Sequence, residues 1–62
     1  MKLRKGYRIK INKREGIITD FGWKNRHRTI SYETDDRIPY WGYKENIQEV
    51  DINGKWIPYY LL

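Results

Sequence analysis

The chain contains no alanine, and before position 61 its only leucine is Leu3. It is therefore nearly devoid of the two residues with the strongest preference for helix. In their place stand nine isoleucines and ten aromatic residues, with threonine and valine, which favour a pleated, half-buried backbone. No window carries a sustained helical period, whereas period two is plain near the start. Tyr7, Ile9 and Ile11 alternate with Arg8, Lys10 and Asn12, the pattern of a strand with one face buried. The chain is thus expected to be all-β.

Turn chemistry divides it into short strands. Asn12–Gly16 is a polar turn ending in glycine, and Ile17–Phe21 reads as the second strand. The stretch Gly22–Arg28 is polar apart from Trp23 and reads as an exposed loop or hairpin tip. Thr29–Thr34 is the third strand, with Ile30 and Tyr32 on one face, and Asp35-Asp36-Arg37 turns the chain. Ile38–Tyr43 is a short fourth strand that Pro39 confines to an edge or bend. Lys44–Asn46 suits a single 3₁₀ or helical turn, and Ile47–Ile52 is the fifth strand. Asn53-Gly54 is the sharpest local signal, because both central residues of a type I′ turn need positive φ. Ile52 should then face Lys55, and Lys55–Leu62 should return as a sixth strand, at an edge or bulge where Pro58 lacks an amide proton. Strands at this spacing predict a small barrel or sandwich of five to six antiparallel strands with one short 3₁₀ turn.

At 62 residues the chain is one domain, 1–62, near the lower size limit for unassisted folding. It has no cysteine, so its stability must come from an apolar core and not from disulfides or thiolate metal sites. One histidine and scattered carboxylates supply no zinc set. No run approaches the roughly 20 apolar residues of a membrane span. Lys2, Arg4 and Lys5 are not followed by the apolar segment of a secretory signal. The expectation is a soluble, cytoplasmic protein without a cofactor and without a membrane partner.

Gly6-Tyr7-Arg8-Ile9-Lys10-Ile11, followed by Gly16-Ile17-Ile18, resembles the opening of SH3-like barrels of the KOW type. Those barrels begin with glycine, an alternating strand and a glycine-led second strand. Tyr40-Trp41-Gly42-Tyr43-Lys44-Glu45-Asn46-Ile47-Gln48-Glu49-Val50 resembles their end, where an aromatic strand leads through a 3₁₀ turn into a final apolar strand. In length and layout the chain is also similar to small SH3-like proteins of bacterial prophages. The resemblance covers residues 6–51 and implies a fold more than a function. Two departures bear on it. The Asn53-Gly54 hairpin adds a strand, and the loop Asn12-Lys13-Arg14-Glu15 is too short and too basic for the acidic loop with which signalling SH3 domains grip proline-rich peptides.

Charge is spread unevenly. Residues 1–28 carry ten Lys or Arg against Glu15 and Asp20, whereas residues 29–62 carry three against six carboxylates. Such asymmetry points to a polyanionic partner. Arg8 and Lys10 share the outward face of the first strand, and Lys24, Arg26 and Arg28 cluster beside Trp23. Cations next to an exposed ring suit single-stranded nucleic acid, since the charges meet phosphates while the ring stacks on a base. These six residues are the candidate nucleic-acid site. A solvated charged face that merely maintains solubility is the competing reading. Tyr7, Tyr32 and Phe21 sit in strand patterns and are expected in the core.

The alternative function is protein binding, as an adaptor or inhibitor (phage-encoded in one version) gripping an acidic protein. It would use Tyr40, Trp41 and Tyr43 or an edge strand near Pro58. A third use of the aromatics is self-association through Trp56, Tyr59, Tyr60, Leu61 and Leu62, which leaves a monomer or weak homodimer open. Catalysis is not expected. His27 lies between arginines, Ser31 has no nearby histidine in sequence, and Asp35-Asp36 suits a turn better than acid–base work.

Overall fold

The computed structural model describes residues 2–62. Six strands form one antiparallel sheet: β1 (Arg8–Ile11), β2 (Arg14–Lys24), β3 (His27–Glu33), β4 (Pro39–Tyr43), β5 (Ile47–Ile52) and β6 (Lys55–Pro58). Their spatial order is β4-β3-β2-β1-β5-β6, so β4 and β6 are the edges and no ladder between them closes the sheet. Both edge strands hold a proline, Pro39 at the start of β4 and Pro58 at the end of β6, where a missing amide donor costs least. A 3₁₀ turn, Lys44–Asn46, joins β4 to β5. A second, Tyr59–Leu61, ends the chain where the sequence pattern predicts continued strand. Among the described residues no helix is long and apolar enough to cross a membrane.

Three of the connections are two-residue hairpin turns with positive φ at both positions: Asn12-Lys13, Asn25-Arg26 and Asn53-Gly54. Such turns match the right-handed twist of the strands they join, and asparagine leads each one. Ile52 pairs with Lys55 as the Asn-Gly signal predicts, and the Asp51 carboxylate accepts a hydrogen bond from the Gly54 amide at 2.9 Å. The other two turns end in Lys13 and Arg26. As a result β2 begins earlier and ends later than its apolar pattern indicates. Of the two readings of Gly22–Arg28, the structure has the hairpin tip and not the loop: the strands stay paired up to the Asn25-Arg26 turn.

β2 carries a bulge at Thr19: Ile18 faces Tyr32, Asp20 faces Ser31, and one residue is left over. The extra residue resets the side-chain phase. Ile18 points into the core, and beyond the bulge Phe21 and Trp23 take the core side instead of Asp20 and Gly22. The N-terminal segment leaves β2 at the same place. The Gly6 amide donates to the Ile18 carbonyl at 2.8 Å and the Ile18 amide to the Tyr7 carbonyl at 2.9 Å. Past Ile18, β2 is paired only with β3. Residues 20–28 therefore form an arm that extends beyond the strands paired on both sides.

The core consists of Leu3, Ile9, Ile11, Ile18, Ile30, Tyr32, Ile47 and Val50. Each fully buried aliphatic side chain of this size contributes about 1.5–3 kcal/mol. Tyr7 packs against this cluster half-buried, and Phe21, expected inside, is 42% exposed although it faces the buried Ile30 across the ladder. The sheet curls tightly around its small core. A Cβ on Gly16 would lie 2.8 Å from the Glu33 carbonyl oxygen, and one on Gly42 would meet Asn12 and Ile11 from across the fold. Tyr40 stacks on Tyr32 with ring centroids 5.8 Å apart, closing one side of the core.

Candidate nucleic-acid interface

The arm carries most of the candidate cations. Trp23 and Arg28 are directly opposed across the β2–β3 ladder, and the Arg28 guanidinium lies 4.9 Å from the Trp23 ring centroid. Trp23 is 66% exposed. Lys24 takes the opposite face, its ammonium 4.5 Å from the ring of Trp41 on β4. Arg26 occupies the tip in a left-handed conformation, φ +66°. Asn25 donates a side-chain hydrogen bond to the Tyr43 hydroxyl at 3.0 Å, which ties the tip to β4. Among the described residues no carboxylate lies within 4 Å of the charged groups of Lys24, Arg26 or Arg28. Ring contacts orient Lys24 and Arg28 without consuming their charge. A cation resting on an exposed ring gains about 0.5–1 kcal/mol and keeps its N–H donors available.

The two strand-one cations are placed differently. Arg8 Nη1 donates to Glu15 Oε2 at 2.9 Å and to Asp35 Oδ1 at 3.1 Å. The hydrogen bond to Asp35, then that to Glu15, raises the guanidinium pKa above its ordinary value. Lys10 lies 3.5 Å from Glu49 and 4.4 Å from the Trp56 ring. Both charges are compensated locally, so the outward face of β1 offers little net field. The structure thus gathers Trp23, Lys24, Arg26 and Arg28 at the arm and separates Arg8 and Lys10 from them.

Under the arm lies an open cleft of about 620 Å³. Leu3, Phe21 and Ile30 supply its apolar wall, and Lys2, Arg28 and Lys44 bring three cations to it from three separate segments. No carboxylate lines it. An adjoining recess shares Arg28 and Lys44 and includes Glu45, whose Oε1 lies 3.2 Å from His27 Nδ1. Sequence reasoning missed Phe21, Lys44 and Lys2 as site residues. The overall charge of residues 1–28 pointed toward Lys2, but no local signal marked Lys44 or brought Phe21 to the surface.

Of the aromatics proposed for protein binding, Tyr40 belongs to packing: it rests on Tyr32 and the Arg14 guanidinium lies 4.2 Å from its ring. Trp41 and Tyr43 stand on one face of β4, edge to face at 5.5 Å, with His27 of β3 against Tyr43 at 5.6 Å. Trp41 is 48% exposed. At the C-terminus Tyr59 packs on the core, while Tyr60, Leu61 and Leu62 are exposed and Trp56 is half-buried. Among the described residues no group of three or more His, Cys, Asp or Glu side chains is arranged to hold a metal ion. No family model, characterised protein or solved structure matches this chain.

Proposed function

We propose that this chain is a non-enzymatic binding domain of the SH3-like barrel kind that engages nucleic acid through the β2–β3 arm. The observation that carries the reading is the Trp23–Arg28 pair, an exposed ring and an uncompensated guanidinium side by side, with Lys24 and Arg26 on the same hairpin. Phosphates meet Arg26, Arg28 and Lys24, and a base stacks on Trp23, which contributes about 1–3 kcal/mol per stacked base. The barrel reading is supported by the tight curl at Gly16 and Gly42 and by the 3₁₀ turn between an aromatic β4 and an apolar β5.

Fluorescence anisotropy with short single-stranded and duplex oligonucleotides, at about 50 and 200 mM salt, tests the reading. Binding that weakens steeply with salt, and more steeply than for a charge-matched basic peptide, is expected. No binding at the lower salt would refute it.

One observation favours protein binding instead: Trp41 and Tyr43 stand on an edge strand with an exposed aromatic face. On that reading Trp41→Ala removes capture of an acidic protein partner and leaves oligonucleotide affinity untouched.

A further inference from the structure

The cleft beneath the arm joins two chemistries that seldom meet on a small surface. Its accessible apolar surface is chiefly Phe21, which is 42% exposed, with the buried side chains of Leu3 and Ile30 beside it. Its cations, Lys2, Arg28 and Lys44, come from the N-terminal segment, β3 and the 3₁₀ turn. None has a carboxylate within 4 Å among the described residues, and none of the lining residues is acidic. Like charges gathered in a concave, partly apolar site repel one another and focus a positive field, and an anion relieves both effects. The occupant should therefore pair an anionic group with a flat apolar face. A volume of about 620 Å³ lies within the range of small-ligand clefts. Arg28 belongs to both the cleft and the Trp23 pair, which places the two features side by side.

We propose that the cleft receives one unstacked nucleotide of a single-stranded nucleic acid, its base against Phe21 and its phosphate held by Arg28, Lys44 and Lys2. The inference rests on the nucleic-acid reading of the arm and adds to it a preference for single strands. Bases inside a duplex stay stacked and paired and cannot enter a concave site, whereas a splayed strand can place one base in the cleft and its neighbour on Trp23.

The test follows amide shifts by NMR during titration with an oligothymidylate of about eight nucleotides, a span such surfaces cover. Thymidine monophosphate and the same oligomer annealed to its complement serve as the other arms. Anisotropy titrations of the parent chain, Lys44→Gln and Trp23→Ala accompany them. The expected result is oligomer-induced shifts at Leu3, Phe21 and Ile30, with weaker binding of the duplex. Lys44→Gln should flatten the log–log salt slope by about 0.7, the share of one phosphate contact on a single strand. If the oligomer binds and Trp23→Ala weakens it, while cleft amides stay still and Lys44→Gln matches the parent, the cleft proposal fails and the arm reading survives. Cleft shifts with the mononucleotide but none with the oligomer would overturn the strand proposal in favour of a free-nucleotide site. If no probe binds, both readings fall together.

Discussion

Arg28 and Trp23 face each other across the β2–β3 ladder with the guanidinium 4.9 Å from the ring centroid, on a stretch of β2 that has no partner on its other side. Neither residue supports the core, since both are exposed. Trp23→Ala should therefore change stability by less than about 1 kcal/mol, the value of an exposed cation–aromatic contact. It should weaken single-strand binding by about thirty-fold, the middle of the range for one lost stacked base. Thermal melting and anisotropy on the same sample check both halves. A large loss of stability would place Trp23 among the structural residues.

Arg8 is expected to behave in the opposite way. Its guanidinium is shared between Glu15 and Asp35, at 2.9 and 3.1 Å. Arg8→Gln should leave oligonucleotide affinity within about two-fold, because the guanidinium already donates to two carboxylates and makes no phosphate contact of its own, and at about 0.15 M salt a charge on β1 away from the arm is screened. The stability cost should be about 1 kcal/mol or less, as for partly exposed ion pairs generally. A salt slope lowered by about one in this variant would restore β1 to the interface.

The contrast between these two arginines separates what the sequence discloses from what it conceals. Strands with alternating apolar residues, such as Arg8–Ile11 and Ile47–Ile52, are legible because period two is a local property, and Asn53-Gly54 is legible because its turn chemistry is local. Residues 22–28 are polar without alternation, so their strand character depends on the pairing of β2 with β3 across the Asn25-Arg26 turn, which no hydrophobic period records. The side of the sheet that Phe21 takes follows from the bulge at Thr19, and a bulge has no sequence signature here. Charge compensation is equally non-local: Asp35 reaches Arg8 from 27 residues away. The cleft, assembled from positions 2, 28 and 44, is hidden for the same reason. Asn12-Lys13 and Asn25-Arg26 are intermediate: the polar stretches around them mark turns, but without a glycine they do not fix which two residues take positive φ.

Gly16 tests how tightly the sheet must curl. An added Cβ would sit 2.8 Å from the Glu33 carbonyl oxygen and 2.9 Å from the Tyr32 ring. Backbone on one side and a fully buried ring on the other leave little room for adjustment. Gly16→Ala should cost about 1–3 kcal/mol, the usual range for overpacking a filled core. Denaturant titration should show a lower midpoint with an unchanged slope. An unaltered midpoint would mean that β2 and β3 separate at this point without penalty.

Arg26 joins stability to function in one residue. It holds φ at +66°, as Lys13 holds +64° at the equivalent position of the first hairpin, whereas the third hairpin places Gly54 there. A side chain in the left-handed region costs about 1–2 kcal/mol that glycine avoids, and part of that gain is returned through glycine's greater freedom in the unfolded chain. Lys13→Gly and Arg26→Gly should each stabilise the domain by about 0.5–1 kcal/mol, a rise in Tm of about 2–8 °C for a chain this short. Their effects on binding should diverge. Arg26→Gly removes a charge from the arm tip and should flatten the salt dependence by about one phosphate contact while the protein becomes more stable. Lys13→Gly, at the β1–β2 turn, should stabilise without that loss. An Arg26→Gly protein that gains stability and keeps its full salt dependence would exclude the tip from the interface.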